Sequence, residues 1–166
     1  ATHKDAKLHY KIIEDYIMQF RETLDDDLVL VSGMAEGFDE AIAKVGMRNK
    51  IRYMCVVPNP GYIAYYWGKN SVLKRDRTDI AQQLLMNATE GITFTVEHGI
   101  YDVNGLHANF ARNQQIVDMS DMALVYDARS SGTRDCVARL ETAQVFYKTF
   151  PFSEQLELDL QNVSQP

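Results

Sequence analysis

Two short segments of small and polar residues combine glycine, a hydroxyl side chain and a position just before a helical pattern. The first is Ser32-Gly33-Met34-Ala35-Glu36-Gly37-Phe38-Asp39, after the apolar residues 28–31, and the second is Ser130-Ser131-Gly132-Thr133, after the apolar residues 122–126. A strand that ends in small residues before a helix presents backbone N–H groups to which a phosphate can bind. The two segments therefore predict one anion-binding site, provided that both strands belong to the same parallel sheet.

The first segment offers several kinds of ligand contact. Gly33 permits a positive φ or a close approach of the backbone, and Gly37 lets the start of the helix lie near a ligand. Asp39 can cap the helix or accept a hydrogen bond from a ribose hydroxyl. We expect ligand contacts from Ser32, Gly33, Met34, Ala35, Gly37 and Asp39. A tight strand-to-helix turn without any ligand explains the same pattern. In the binding interpretation, Gly33→Val or Gly132→Val removes ligand binding and leaves the fold largely intact.

The second segment and the residues after it supply the complementary contacts. Ser131, Gly132 and Thr133 can present N–H groups and a hydroxyl at a helix N-terminus, and Arg134 can pair with a phosphate. An ordinary N-cap, which stabilises a helix without binding anything, is the alternative.

Two further features carry polar or stacking chemistry. Arg112 and Asn113 lie at the start of a helix predicted over residues 109–118, where Arg112 can bind a phosphate or pair with a nearby aspartate. Trp67 lies in an aromatic segment over residues 61–76. Its ring can stack on a base, or it can shield the sheet edge or form a subunit interface.

Apolar spacing predicts the elements that position these residues. Helices are expected over 6–24, 38–45, 77–88, 109–118 and 133–147, and strands over 28–31, 51–57, 92–96 and 122–126, with an edge strand over 156–160. This alternation predicts an α/β, Rossmann-like three-layer fold with a mostly parallel sheet flanked by helices. We expect one domain over residues 1–166, with 161–166 as a frayed tail. The chain opens with a helix instead of a strand, so either the first strand is missing or the protein begins differently.

Bulk composition excludes several classes of function. The 166 residues carry a formal net charge of −6, which disfavours nucleic acid as a partner. The two cysteines form neither a metal-ligand pattern nor a disulfide framework, which favours the reducing cytoplasm. No apolar run approaches the ~20 residues that span a bilayer, so no membrane contact is expected. No pattern predicts a metal or a cofactor.

Taken together, these motifs resemble the SLOG superfamily, which includes DprA/Smf proteins and LOG-type phosphoribohydrolases. Within it, the chain is most similar to small stand-alone proteins of the YpsA type. The matching pieces are S-G-M-A-x-G-x-D at 32–39, Pro58 and Trp67, R-N-x-x-x-V-D at 112–118 and G-T-x-x-C-V at 132–137. The subgroup also opens with an apolar strand and G-H-R-P-x-K-L, of which residues 2–8 keep His3, Lys7 and Leu8 only. The resemblance implies a Rossmann-like fold, a nucleotide-like ligand and a homo-oligomer.

The same resemblance frames three hypotheses of function. In the first, the protein binds a nucleotide or an ADP-ribose-type ligand as a sensor or a sequestering protein. In the second, it is a hydrolase or transferase of nucleotide N-glycosidic bonds. LOG-type enzymes carry a glutamate where this chain has Cys136, so another carboxylate would have to serve in catalysis: Asp39, Asp135 or Glu36, of which Asp39 and Asp135 are the predicted catalytic residues. In the third, it binds single-stranded DNA as DprA does, which the acidic charge disfavours.

Overall fold

A computed structural model describes residues 3–127 and 130–151. It contains five helices, α1 to α5, which are His3–Leu24, Phe38–Asn49, Thr78–Met86, Ala108–Met119 and Ser131–Ala143. The five strands, β1 to β5, are Val29–Ser32, Arg52–Val57, Ile92–Phe94, Met122–Asp127 and Phe146–Pro151. A single 3₁₀ turn, Asp25–Asp27, precedes β1, and a π-helical segment, Ala64–Lys69, precedes α3.

The strands form two parallel groups. One has the order β1-β2-β3, and the other pairs β4 with β5. Helix α2 packs on β1 and β2, whereas α5 packs on β4 and β5. The predicted α/β fold with a mostly parallel sheet flanked by helices is therefore confirmed. In the described part of the chain, however, backbone hydrogen bonds join the strands into groups of three and two instead of one sheet.

One apolar core links the two groups of strands. Leu30 and Tyr53 from the first group share a buried cluster with Tyr126 and Phe150 from the second. The ring of Phe38, at the start of α2, stacks on Tyr126 with 5.8 Å between centroids and lies 5.8 Å from Phe150. Aromatic pairs at this spacing are attractive beyond the area they bury. The start of α2 is thus anchored to the strand that precedes α5.

The end of α5 departs from the prediction. We expected a helix to continue through Tyr147, but α5 ends at Ala143 and Phe146 begins β5. Gln144 takes the left-handed conformation (φ 57°) and donates its backbone N–H to Leu140 and Glu141, which is the geometry of a helix C-terminus. The edge strand predicted over residues 156–160 and the frayed tail over 161–166 lie outside the described residues.

Helix α2 is also longer than predicted. It continues through Gly46 to Asn49, and Lys50, with φ 54°, is its C-cap. Gly46 lies against the ring of Tyr53 in β2, where an added Cβ would be 2.8 Å from Cδ1. The glycine therefore permits close packing of helix on strand and does not terminate the helix. Among the described residues, no helix is both long and apolar enough to cross a bilayer.

Candidate functional site

A cavity of about 350 Å³ lies where the turns after β1 and β4 meet. Its volume is at the lower end of the range for small-molecule sites. Residues from four regions line it: the start of α2, the segment between Ala64–Lys69 and α3, helix α4, and the end of β4 with the start of α5. They are Ala35, Glu36, Gly37, Phe38, Asp39, Val72, Leu73, Arg77, Arg112, Asn113, Leu124, Val125, Tyr126, Ser130, Gly132, Thr133 and Cys136.

Two adjacent residues of α4 connect the turns. Arg112 donates from Nη1 to the carbonyl oxygen of Gly33, and Asn113 donates from Nδ2 to the carbonyl oxygen of Gly132 at 3.2 Å. Arg112 also donates from Nε to Oδ1 of Asn113 at 3.1 Å. Both side chains are only 8% exposed and both line the cavity. The predicted convergence of the two turns is therefore present, and these two side chains hold it.

The turn before α2 uses its own side chains to satisfy its backbone. Ala35 donates its N–H to Oδ2 of Asp39 at 3.2 Å, and Gly37 donates to Oε1 of Glu40 at 3.3 Å. The hydroxyl of Ser32 accepts from the N–H of Met34 and donates to the carbonyl oxygen of Asp39. Two carboxylates in the first turn also offset the positive end of the helix dipole. This turn therefore has fewer free N–H groups and less positive charge for an incoming anion than its sequence suggests.

The turn before α5 lacks those carboxylates. The first turn of α5 contains no acidic residue. Ser130 caps the helix by accepting from the N–H of Thr133 at 3.2 Å. Ser131 and Gly132 lie in the first turn, where backbone N–H groups have no partner within the helix. Of the two turns, this one is the better anion site.

The two central glycines differ in their surroundings. A Cβ at Gly33 would lie 2.9 Å from Nη1 of Arg112 and 2.9 Å from Oδ2 of Asp39, whereas a Cβ at Gly132 would approach nothing closer than the Ser130 hydroxyl at 4.0 Å. A valine at Gly33 would displace the ends of these two side chains, and the expectation that Gly33→Val leaves the fold largely intact stays a prediction. The space beside Gly33 already holds two side chains, and Gly33 itself does not line the cavity.

Trp67 is buried and supports the first turn from behind. Its side chain is 0% exposed, and Nε1 donates to the carbonyl oxygen of Met34 at 2.8 Å. The guanidinium of Arg77 lies 5.0 Å from the ring centroid. Because Trp67 does not reach the cavity, its ring is not placed to stack on a ligand there. Met34 is likewise 0% exposed, with φ 59°.

The two predicted catalytic carboxylates face different surroundings. Asp39 lines the cavity. Asp135 does not line the cavity. Its oxygens accept hydrogen bonds from Nε and Nη2 of Arg139 and from Nδ2 of Asn113, at 2.8, 3.1 and 3.1 Å. The structure therefore leaves Asp39 as the better placed of the two and assigns Asp135 to holding α4 on α5.

Besides Asp39, twelve residues were predicted to bind the ligand. Six of these twelve line the cavity, and six do not. The first set is Ala35, Gly37, Arg112, Asn113, Gly132 and Thr133; the second is Ser32, Gly33, Met34, Trp67, Ser131 and Arg134. Ser32 is buried within its own turn, and Ser131 and Arg134 are exposed outside the cavity. The cavity also includes Cys136, whose burial raises the pKa of its thiol to about 11.

The sequence did not predict a buried ionic cluster, two members of which, Glu36 and Arg77, also line the cavity. Arg77 is 1% exposed and pairs with both Glu36 and Glu40, and Lys44 pairs with Glu40 at 3.0 Å. Burial alone would raise the pKa of Glu40, but the hydrogen bonds and charges of Arg77 and Lys44 outweigh it and lower that pKa. The i, i+4 spacing of Glu40 and Lys44 was the one signal available, since Arg77 comes from a distant segment.

Comparisons of the chain with models of protein families, with curated proteins and with solved structures found no match. The resemblance to the SLOG superfamily therefore stays a prediction that is based on the motifs themselves.

Proposed function

We propose that the protein binds a nucleotide-type small molecule in this cavity, with a phosphate at the start of α5. The observation that carries the proposal is the difference between the two turns. The first turn of α5 has no acidic residue, whereas the first turn of α2 has Asp39 and Glu40. A phosphate is favoured at the former, and Asp39 at the latter can accept a hydrogen bond from a sugar hydroxyl.

The remaining residues that line the cavity fit the base, which is the third part of a nucleotide. Phe38, Leu73, Leu124 and Tyr126 give the cavity apolar surface, on which a base can pack. Arg112 adds a positive charge at the point where the two turns meet. One cavity thus offers a donor-rich turn, an acceptor and an apolar wall, which are the three kinds of contact that a nucleotide requires.

A calorimetric titration tests the proposal. The ligands are the 5′-monophosphates of adenosine, guanosine, cytidine and uridine, and ADP-ribose, each compared with the matching unphosphorylated nucleoside. We expect at least one phosphorylated ligand to bind more tightly than its nucleoside. Gly132→Val should abolish this preference, because the added methyl groups enter space at the start of α5 that is open in the wild type.

The matched control is Gly61→Val. A Cβ at Gly61 would also approach only one side-chain atom, Oδ1 of Asn59, at 3.9 Å, and Gly61 lies outside the cavity. This variant should bind as the wild type does. Equal affinity of Gly132→Val and the wild type for every phosphorylated ligand would refute the proposed phosphate position, and failure of all these ligands to bind would refute the proposed function.

The placement of Asp39 supports a second candidate, cleavage of a nucleotide N-glycosidic bond. A carboxylate beside the sugar can stabilise an oxocarbenium-like transition state. Incubation of the protein with the same nucleotides, followed by chromatography for free base, tests this candidate. Base release that Asp39→Asn abolishes would establish catalysis, whereas binding without release would restrict the protein to the first function.

A further inference from the structure

The side chain of Glu36 joins the turn after β1 to a separate segment of the chain. Its Oε1 accepts from the N–H of Val72 at 3.0 Å, and its Oε2 accepts from the hydroxyl of Ser71 at 2.9 Å. Oε2 also pairs with Nη1 of Arg77. The Glu36 side chain is 5% exposed. Both carboxylate oxygens are therefore engaged by donors from residues 71–77.

Ser71 extends this connection by one residue. While its hydroxyl donates to Glu36, it accepts from the N–H of Leu73 at 3.2 Å. The N–H of Lys74 closes the turn on the carbonyl oxygen of Ser71 at 2.9 Å. Glu36 thus fixes the backbone of Val72 directly and that of Leu73 through one hydroxyl.

Val72 and Leu73 form part of the cavity wall. Val72 is 67% exposed, so packing against the core contributes little to its position. The hydrogen bonds to Glu36 and Ser71 then determine where these apolar side chains stand relative to the start of α2. A group that sets the shape of a binding site in this way acts by preorganisation.

We propose that Glu36 is a positioning residue. It holds Val72 and Leu73 as the wall against which the base of the ligand packs. The inference rests on the proposed function, and it assigns the recognition of the base to a different part of the cavity from the recognition of the phosphate. It also gives Glu36 a role other than acid–base chemistry, since donors surround its carboxylate.

Two variants separate positioning from general stability. Ser71→Ala removes the hydroxyl that links Glu36 to Leu73 and leaves every charge in place. Glu36→Gln keeps the size of the side chain but turns one acceptor into an N–H₂ donor that faces other donors. Met86→Ala, at an 83% exposed position in α3, is the control.

The first measurement needs no ligand. Amide hydrogen exchange should become about tenfold faster at residues 72 and 73 in Glu36→Gln and at residue 73 in Ser71→Ala, because one lost hydrogen bond changes a local opening equilibrium by about this factor. Exchange in β2 should not change in Ser71→Ala. In Glu36→Gln, which also loses the ion pair with Arg77, exchange in β2 should accelerate less than exchange at residues 72 and 73, whereas a merely structural role of Glu36 would accelerate both equally. Unchanged exchange at residues 72 and 73, or equal acceleration in β2, would overturn the inference.

The second measurement compares two probes, the best-bound nucleoside 5′-monophosphate and inorganic phosphate. In both variants the affinity for the nucleotide should fall by about five- to tenfold, while the affinity for inorganic phosphate stays within about twofold. Equal losses for both probes, or no loss for either, would contradict the division of roles. If no nucleotide binds the wild type, the proposed function is wrong, and the exchange experiment still decides whether Glu36 positions this wall.

Discussion

Removal of the Arg77 guanidinium is expected to destabilise the fold strongly. The side chain is 1% exposed and donates from Nη1 and Nη2 to Glu40 and from Nη1 to Glu36. Arg77→Met keeps much of the aliphatic stem and deletes these donors, so that two carboxylates with 5% and 0% exposed side chains lose a shared cation. Lys44 still pairs with Glu40.

The size of the effect follows from burial. Breaking a buried ion pair on one side costs about 3–5 kcal/mol, because the other charge stays buried. The loss of the cation–π contact with Trp67, at 5.0 Å, adds to it. In a chain of this length, such a loss lowers the midpoint of thermal unfolding by about 10 °C.

The destabilisation caused by Arg77→Met should depend on pH in a defined direction. In the wild type, Arg77 and Lys44 hold the pKa of Glu40 below its ordinary value of 4.5. The ionised carboxylate therefore stabilises the fold above this value, and its contribution is lost as the pH falls through the lowered pKa. Without the charge and hydrogen bonds of Arg77, the pKa of Glu40 rises relative to the wild type, so ionised Glu40 contributes less to stability near neutral pH. The difference in unfolding free energy between wild type and variant should then be larger at about pH 7 than at about pH 4.5.

Urea denaturation at both pH values measures this difference. The control is Arg52→Met, which breaks the pair with Glu90 at a position where the side chains are 47% and 28% exposed; it should show a clearly smaller loss because exposed pairs contribute little. A loss below about 1 kcal/mol for Arg77→Met, or a loss that grows as the pH falls, would refute the reasoning.

Three further outcomes are expected. Gly46→Ala should destabilise by about 1–3 kcal/mol in urea denaturation, because its methyl group would lie 2.8 Å from the Tyr53 ring and the resulting strain exceeds the gain in helix propensity. Lys50→Gly should stabilise by up to about 1 kcal/mol, seen as a higher unfolding midpoint, because glycine takes a φ of 54° without strain. Burial raises the pKa of Cys55 to about 12 and that of Cys136 to about 11, so a thiol reagent at about pH 8 should label the native protein slowly and the unfolded protein fast.

The sequence predicted elements with strong periodicity and failed where long-range packing decides the outcome. The helix predicted through Tyr147 ends at Ala143 because Gln144 adopts φ 57°, and glutamine is not a residue that signals a helix end. The helical spacing of residues 137, 140, 144 and 147 simply continued into β5. The error at Gly46 was the opposite one. Glycine often signals the end of a helix, but Gly46 lies within α2 and permits close packing on Tyr53.

The candidate site shows the same division. The residue types of both turns were visible in the sequence, and so were Arg112 and Asn113. Their hydrogen bonds to the carbonyl oxygens of Gly33 and Gly132 join segments that are 79 and 19 residues apart. No local pattern encodes such pairs, and the same holds for the contact of Arg77 with Glu36. A sequence thus shows which groups are available, and the tertiary fold decides which of them remain free for a ligand.

One part of that decision is nevertheless local. A carboxylate in the first turn of a helix can accept from the turn's own N–H groups, as Asp39 does from Ala35 and Glu40 does from Gly37. A first turn without a carboxylate, as at Ser131 and Gly132, leaves those groups and the positive end of the dipole to an outside anion. Two strand–turn–helix segments that look equivalent by their glycines are therefore unequal by their acidic residues. This difference, which the first three residues of each helix already contain, is the reason to expect the phosphate at α5 and the sugar at α2.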